Sequence, residues 1–142
     1  MKKIIFAILF VLMILSCSLV FAETAIETEV FINGTKLECD VPPIIENGRT
    51  LVPMRAIFEA LGANIHWDDE TKTVTAIAGK TVVFIQIANK TAFVNGEERT
   101  LDVLARIVND RTLVPLRFAG EALGAQVEWD ETNRCVNITT AN

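Results

Sequence analysis

The sequence predicts an α+β fold of two tandem repeats, each an antiparallel β-sheet packed around one short α-helix, with a bridging strand shared between them. Three observations carry this. Residues 49 to 74 (RTLVPMRAIFEALGANIHWDDETKTV) match residues 111 to 136 (RTLVPLRFAGEALGAQVEWDETNRCV) without a gap, at an offset of 62. Upstream, Phe31-Ile32-Asn33-Gly34 matches Phe93-Val94-Asn95-Gly96 at the same offset. Within each copy the apolar period then switches from about 3.6 to about 2, the change from helix to strand. A match this long is one supersecondary unit used twice, neighbouring copies completing each other's core.

The elements follow in order. Glu29 to Ile32 and Thr35 to Cys39 flank Asn33-Gly34, the pair that best tolerates a type I′ hairpin turn. Thr91–Val94 and Glu97–Leu101 do the same around Asn95-Gly96. A loop stiffened by Pro42-Pro43 leads to Arg49-Thr50-Leu51-Val52. The helix then opens at Pro53 or Pro115, placed at the first helical position where no N–H is needed. Met54, Ile57, Phe58 and Leu61 form one apolar stripe, and Gly62 and Gly124 stand where a left-handed residue ends a helix. In the second copy the stripe reads Leu116, Ala119, Gly120, Leu123, so that helix should approach its sheet more closely. Val52 and Val114 are poor caps, which leaves the helix entry to tertiary contacts.

Beyond the helix, Ala63, Ile65 and Trp67 alternate with Asn64 and His66, and Ala125, Val127 and Trp129 with Gln126 and Glu128. The first set in each copy is expected to face inward. Turns at Asp68–Lys72 and Asp130–Arg134 lead to strands Thr73–Ala78 and Cys135–Thr140. The run Lys80 to Ile87 has no counterpart at the same offset and is apolar on both faces, as a strand buried on both sides would be. It should lie centrally and couple the copies.

Residues 1–22 read as a signal peptide. Lys2 and Lys3 precede the apolar run Ile4–Leu15, and Val20-Phe21-Ala22 offers a cleavage site before Glu23. Ile14-Leu15-Ser16-Cys17 also resembles a lipobox, which would make Cys17 a lipidated anchor. The stretch Ser18–Ala22 stays apolar where a lipoprotein begins a polar tether, and this favours plain export to the envelope or medium. Residues 23–142 form the mature domain, with repeats at about 30–77 and 92–139 and the bridging strand at 80–87. Loss of Lys2 and Lys3 takes the formal charge from −5 to −7. An acidic chain without a basic cluster is a poor partner for nucleic acid or anionic lipid. The run Ile4–Leu15 is short of the roughly 20 residues of a membrane span.

The combination of Asn-Gly near a strand end, R-T-L-V-P-[ML]-R, E-A-L-G-A and W-D resembles the copper amine oxidase N-terminal domain-like family, the "stalk" domains of exported bacterial proteins. The resemblance runs from about Val30 to Thr139. It implies an antiparallel sheet wrapped around one helix per unit, and a non-catalytic accessory module. In those oxidases the chemistry sits in another domain, with a tyrosine-derived quinone and copper on three histidines. This chain has no tyrosine and a single histidine, His66, so it cannot carry that chemistry. No cofactor is expected. The implied role is binding or scaffolding at the cell envelope, with cell-wall polysaccharide or another envelope protein as partner.

Six residues are candidates for ligand or partner contact. Arg55 and Arg117 stand four residues before Glu59 and Glu121, so each either binds an anion or forms an intrahelical ion pair. Arg49 and Arg111 precede the helices and could reach a sheet edge or a partner. Trp67 and Trp129 would stack on sugar rings if exposed, making a peptidoglycan or carbohydrate-binding module; their inward phase argues instead for packing. The duplication of all six points to framework.

Other signals are weaker. Cys39 and Cys135 could form a disulfide in an oxidising compartment, or remain buried thiols; neither belongs to the shared pattern. His66 beside Asp68, Asp69 and Glu70 falls short of the three or four converging ligands zinc needs. The acidic turns lack a calcium loop's glycine and alternating oxygens and read as Asx turns. Asn33, Asn89 and Asn137 open glycosylation sequons but are read as turn and strand residues. No nucleophile–base set and no phosphate loop is present.

Overall fold

The computed structural model describes residues 27–141, so the expected signal peptide, with Cys17, lies outside the described residues. Among the described residues, thirteen strands and two seven-residue helices follow each other as β1 (Glu29–Ile32), β2 (Thr35–Lys36), β3 (Ile44–Glu46), β4 (Arg49–Pro53), α1 (Met54–Ala60), β5 (Asn64–Asp68), β6 (Thr73–Ala78), β7 (Thr81–Gln86), β8 (Thr91–Val94), β9 (Glu97–Thr100), β10 (Arg106–Val108), β11 (Arg111–Pro115), α2 (Leu116–Ala122), β12 (Gln126–Asp130) and β13 (Cys135–Thr139). The class is α+β, mostly sheet.

The expectation that each half builds its own antiparallel sheet is corrected. Three sheets form, ordered β12-β13-β1-β2, β10-β11-β4-β3 and β5-β6-β7-β8-β9, and every one takes strands from both halves. The opening hairpin of the first half lies against the closing strands of the second, where β1 pairs with β13 in parallel. The opening hairpin of the second half lies against the closing strands of the first, with β7 interposed and all pairs antiparallel. Two antiparallel steps, β6 to β7 to β8, leave β6 and β8 parallel. The direct β13–β1 contact is the same arrangement without the spacer. A seven-residue helix and a two-strand hairpin are each marginal alone, and this exchange lets each half complete the other's sheet.

β7 is central, as its composition suggested, but it is not buried on both faces. Val83 and Ile85 are fully buried while Phe84 is 41% exposed. The five-stranded sheet has one face on the core and the other open, as antiparallel sheets allow.

The expected loop before Arg49 is instead a hairpin, β3–β4, turning on Asn47 and Gly48 with φ of 50° and 73°. Its counterpart β10–β11 turns on Asn109 and Asp110. Pro53 and Pro115 end their strands and cap the helices, one place earlier than expected, with no side-chain cap bond. The helix entry is held by the sheet, where Pro53 pairs with Leu113 and Pro115 with Leu51. Both helices end in the expected left-handed glycine. The Gly62 N–H donates to the Glu59 carbonyl and the Ala63 N–H to the Phe58 carbonyl, at 3.0 and 2.9 Å, closing a Schellman motif that recurs at Gly124.

The helices touch each other and lie on β4 and β11; α1 also meets β5, and α2 meets β12. Their buried faces, Ile57 and Phe58 on one and Leu116 and Ala119 on the other, share one core with Val30, Val74, Val83 and Ile138. Gly120 occupies the position of Phe58 in the other helix, and the space beside it is filled by Val127: a Cβ there would lie 2.7 Å from the Val127 Cγ2. A smaller cluster, Leu51, Val103 and Leu113, sits under β4 and β11.

Candidate functional site

Arg49, Arg117 and Trp129 converge on one groove of about 330 Å³, between the ends of β9, β4 and β12 and roofed by α2. Arg99, Thr100, Asp102, Phe118 and Glu121 complete its polar and aromatic lining. Each basic group in it is tied to a carboxylate. Arg49 reaches Asp102 at 3.2 Å, and Arg117 reaches Glu121 at 3.2 Å while also donating to the Val127 carbonyl at 3.0 Å. Arg99 reaches Glu97 at 3.1 Å. These pairs are solvent-exposed, so each adds little to stability. Their effect is to hold donors and acceptors side by side at the groove wall.

Trp129 departs from the expected inward phase. It is 38% exposed, and its indole N–H donates to Glu131 Oε2 at 2.6 Å. Trp67 does pack against the main core and is half-buried. The helices account for the difference. Phe118 on α2 packs against the core where α1 has only Ala56, and it lines the groove beside Trp129.

The other three candidates are not brought together. Arg55 pairs with Glu59 on α1 at 2.9 Å, and Arg111 pairs with Asp40 at 2.5 Å. The Arg111 guanidinium, chiefly through that hydrogen bond, holds the Asp40 carboxyl below the usual aspartate range. Arg49–Asp102 and Arg111–Asp40 are the same contact made in both directions between the halves. Sequence reasoning missed Arg99, Thr100 and Phe118. A signal was available, since at the 62-residue offset these stand where the first half has Leu37, Glu38 and Ala56.

Of the two alternatives for Cys39 and Cys135, the structure has free thiols. Cys135 lies on one side of β1, opposite Glu29, while the strand leading to Cys39 runs along the other side of β1. Two strand spacings, roughly 9–10 Å, exceed the Cα separation a disulfide bridges. Burial raises the Cys39 thiol above its ordinary range, and the Asp40 and Glu38 carboxylates add to this.

A second, more open concavity of about 480 Å³ lies on the outer face of the five-stranded sheet, where His66 and Asp68 flank Phe84 and Phe93. His66 is exposed there. Among the described residues no group of three or more His, Cys, Asp and Glu is placed to hold a metal ion.

The profile of the copper amine oxidase N-terminal domain matches residues 31–138. A Brevibacillus choshinensis protein described as a protease inhibitor is 30% identical over 108 residues, covering 75% of this chain and 32% of its own length. The chain thus spans about a third of that relative. The copper and quinone that the family name brings to mind do not fit the residues present, since the chain has one histidine, on an exposed strand face, and no tyrosine. The groove offers guanidinium donors, carboxylate acceptors and aromatic rings. With its matched profile covering most of the sequence, the chain belongs to the copper amine oxidase N-terminal domain family.

Proposed function

We propose that the protein is an exported, non-catalytic module that binds or scaffolds at the bacterial cell envelope, its signal peptide removed after Ala22. The observation that carries this reading is the division of labour in the fold. The interlocked sheets build the frame, and one groove gathers Arg49, Asp102, Arg117, Glu121 and Trp129, shared by both halves, with Arg99 and Phe118, where the first half has Leu37 and Ala56. We read the 62-residue correspondence as a single unit used twice, the second copy modified at Arg99 and Phe118 for recognition. The Brevibacillus relative is described as a protease inhibitor, a name for a binding role and not a catalytic one. It supports binding as the class, and the partner is not carried over with it.

Expression of the full chain in an exporting bacterium tests this. Intact mass of the exported protein should match a chain beginning at Glu23, and fractionation should place it in the envelope or medium. Retention of the uncleaved chain in the cytoplasm, or turnover of a wall substrate, would overturn it.

The exposed face of Trp129 favours a second reading, a carbohydrate-binding module for the cell wall. Co-sedimentation of the processed protein with purified wall sacculi tests that reading, and protein left wholly in the supernatant would sink it.

A further inference from the structure

A sugar ring presents a face of C–H groups and a rim of hydroxyls that donate and accept at once. A site for it needs an open aromatic face with donors and acceptors set side by side. The groove supplies both. Trp129 lines it at 38% exposure with its N–H committed to Glu131, which fixes the ring, and Phe118 adds a second ring to the lining. Arg117–Glu121 and Arg49–Asp102, each 3.2 Å apart, set N–H donors beside carboxylate oxygens. Neighbouring hydroxyls on one ring match such a pair.

An anionic ligand is the competing occupant, and the charges weigh against it. Arg49, Arg99 and Arg117 all carry a carboxylate partner, so none presents an uncompensated positive charge. The chain as a whole is at −5 and would repel a polyanion. At the matching place in the first half Leu37 and Trp67 pack onto the core, and Ala56 stands where the second half has Phe118.

We propose that this groove is a single receptor for a neutral saccharide, one ring stacking on Trp129 and its adjacent hydroxyls bridging Arg117 and Glu121. The inference rests on the carbohydrate reading above and adds the ligand's charge, the stoichiometry and the residues. The test titrates the processed full chain with N-acetylglucosamine oligomers, gluco-oligosaccharides and oligogalacturonate, by calorimetry and tryptophan fluorescence. A neutral oligomer should bind one per chain, with a Kd that changes less than about twofold between about 0.02 and 0.5 M salt. Trp129→Ala should weaken binding at least about tenfold and Glu121→Gln about fivefold, by loss of the stacking face and of a charged acceptor. Glu59→Gln, the same change on α1, should leave binding unchanged, and thermal melts check that each variant is folded. Preference for oligogalacturonate with steep loss in salt would overturn the proposal, as would equal weakening by Glu59→Gln. Pelleting with sacculi but no response to neutral oligomers would sink the proposal and leave envelope binding standing. Failure of both would sink the carbohydrate reading with it.

Discussion

Val52 and Val114 pair directly across β4 and β11, and they are the same position in the two halves of the chain. The register is symmetric about them, with Leu51 opposite Pro115 and Pro53 opposite Leu113. A local two-fold axis therefore passes between these valines. It interchanges the ion pairs Arg49–Asp102 and Arg111–Asp40, and it explains why each helix lies on the strands of both halves.

Both valines are fully buried, so truncation at the axis should be costly from either side. Val52→Ala and Val114→Ala should each destabilise by about 1–3 kcal/mol. Because the two side chains neighbour each other, the double variant should depart from additivity by about 0.5 kcal/mol or more. Urea denaturation of the four proteins measures this, and a strictly additive cycle would mean that the halves do not meet here.

Gly120 allows α2 to close on β12. In Gly120→Ala, the gain in helix propensity, about 1 kcal/mol, opposes a contact 2.7 Å from a stiff β-branched side chain. Overpacking of about 1–3 kcal/mol should win, for a net loss in melting temperature. Adding Val127→Ala should make the alanine at 120 better tolerated than it is alone. A Gly120→Ala protein as stable as the parent would show that the helix can shift without cost.

Much of this frame was legible in the sequence, and its limits have physical causes. Asn33-Gly34 and Asn95-Gly96 announce their hairpins, and each asparagine also latches a neighbouring strand: the Asn33 N–H donates to Ile138 and the Asn95 N–H to Val82. Asn47-Gly48 carries the same signal, but β3 is only three residues long and follows Pro42-Pro43, so it reads as loop. The exchange of hairpins between halves leaves no local trace, because pairing partners about 100 residues apart look the same as adjacent ones. Phe84 was misjudged because an unbroken apolar run hides which face is wet. At the groove, Arg49, Arg117 and Trp129 were visible as candidates, while Arg99 and Phe118 required comparing the halves for their differences.

The two thiols should behave differently. Cys135 is buried in β13, and loss of water, then the nearby Asp130 and Glu29 carboxylates, raise it above the usual thiol range. Cys39 is half-buried outside the regular strands. In the processed protein Cys39 should react slowly with a thiol reagent in the native state, and Cys135 only on unfolding, since the thiolate is the reactive form. Reductant should leave the melting temperature unchanged. A shift of several degrees on reduction, or fewer than two titratable thiols in denaturant, would restore the disulfide.

Acid should weaken the fold through three aspartates. The Arg111 hydrogen bond lowers Asp40, the Lys72 hydrogen bond lowers Asp69, and the Asn133 backbone N–H lowers Asp130. Unfolded, these groups titrate near about 4, so their folded values lie below their unfolded ones. The sign follows: the unfolded chain binds more protons in that range, and the stability these contacts supply is present above the unfolded value and lost as pH falls through the folded one. Urea midpoints should therefore be level from about pH 7 to about pH 5 and decline below it. All three carboxylates are at the surface, so the decline should also shrink in high salt. Replacing Asp40, Asp69 and Asp130 together by asparagine should lower the midpoint slightly at neutral pH and make the fall between pH 5 and pH 3 shallower. An equally steep fall in the triple variant would assign acid sensitivity to other groups and leave these contacts without a share in it.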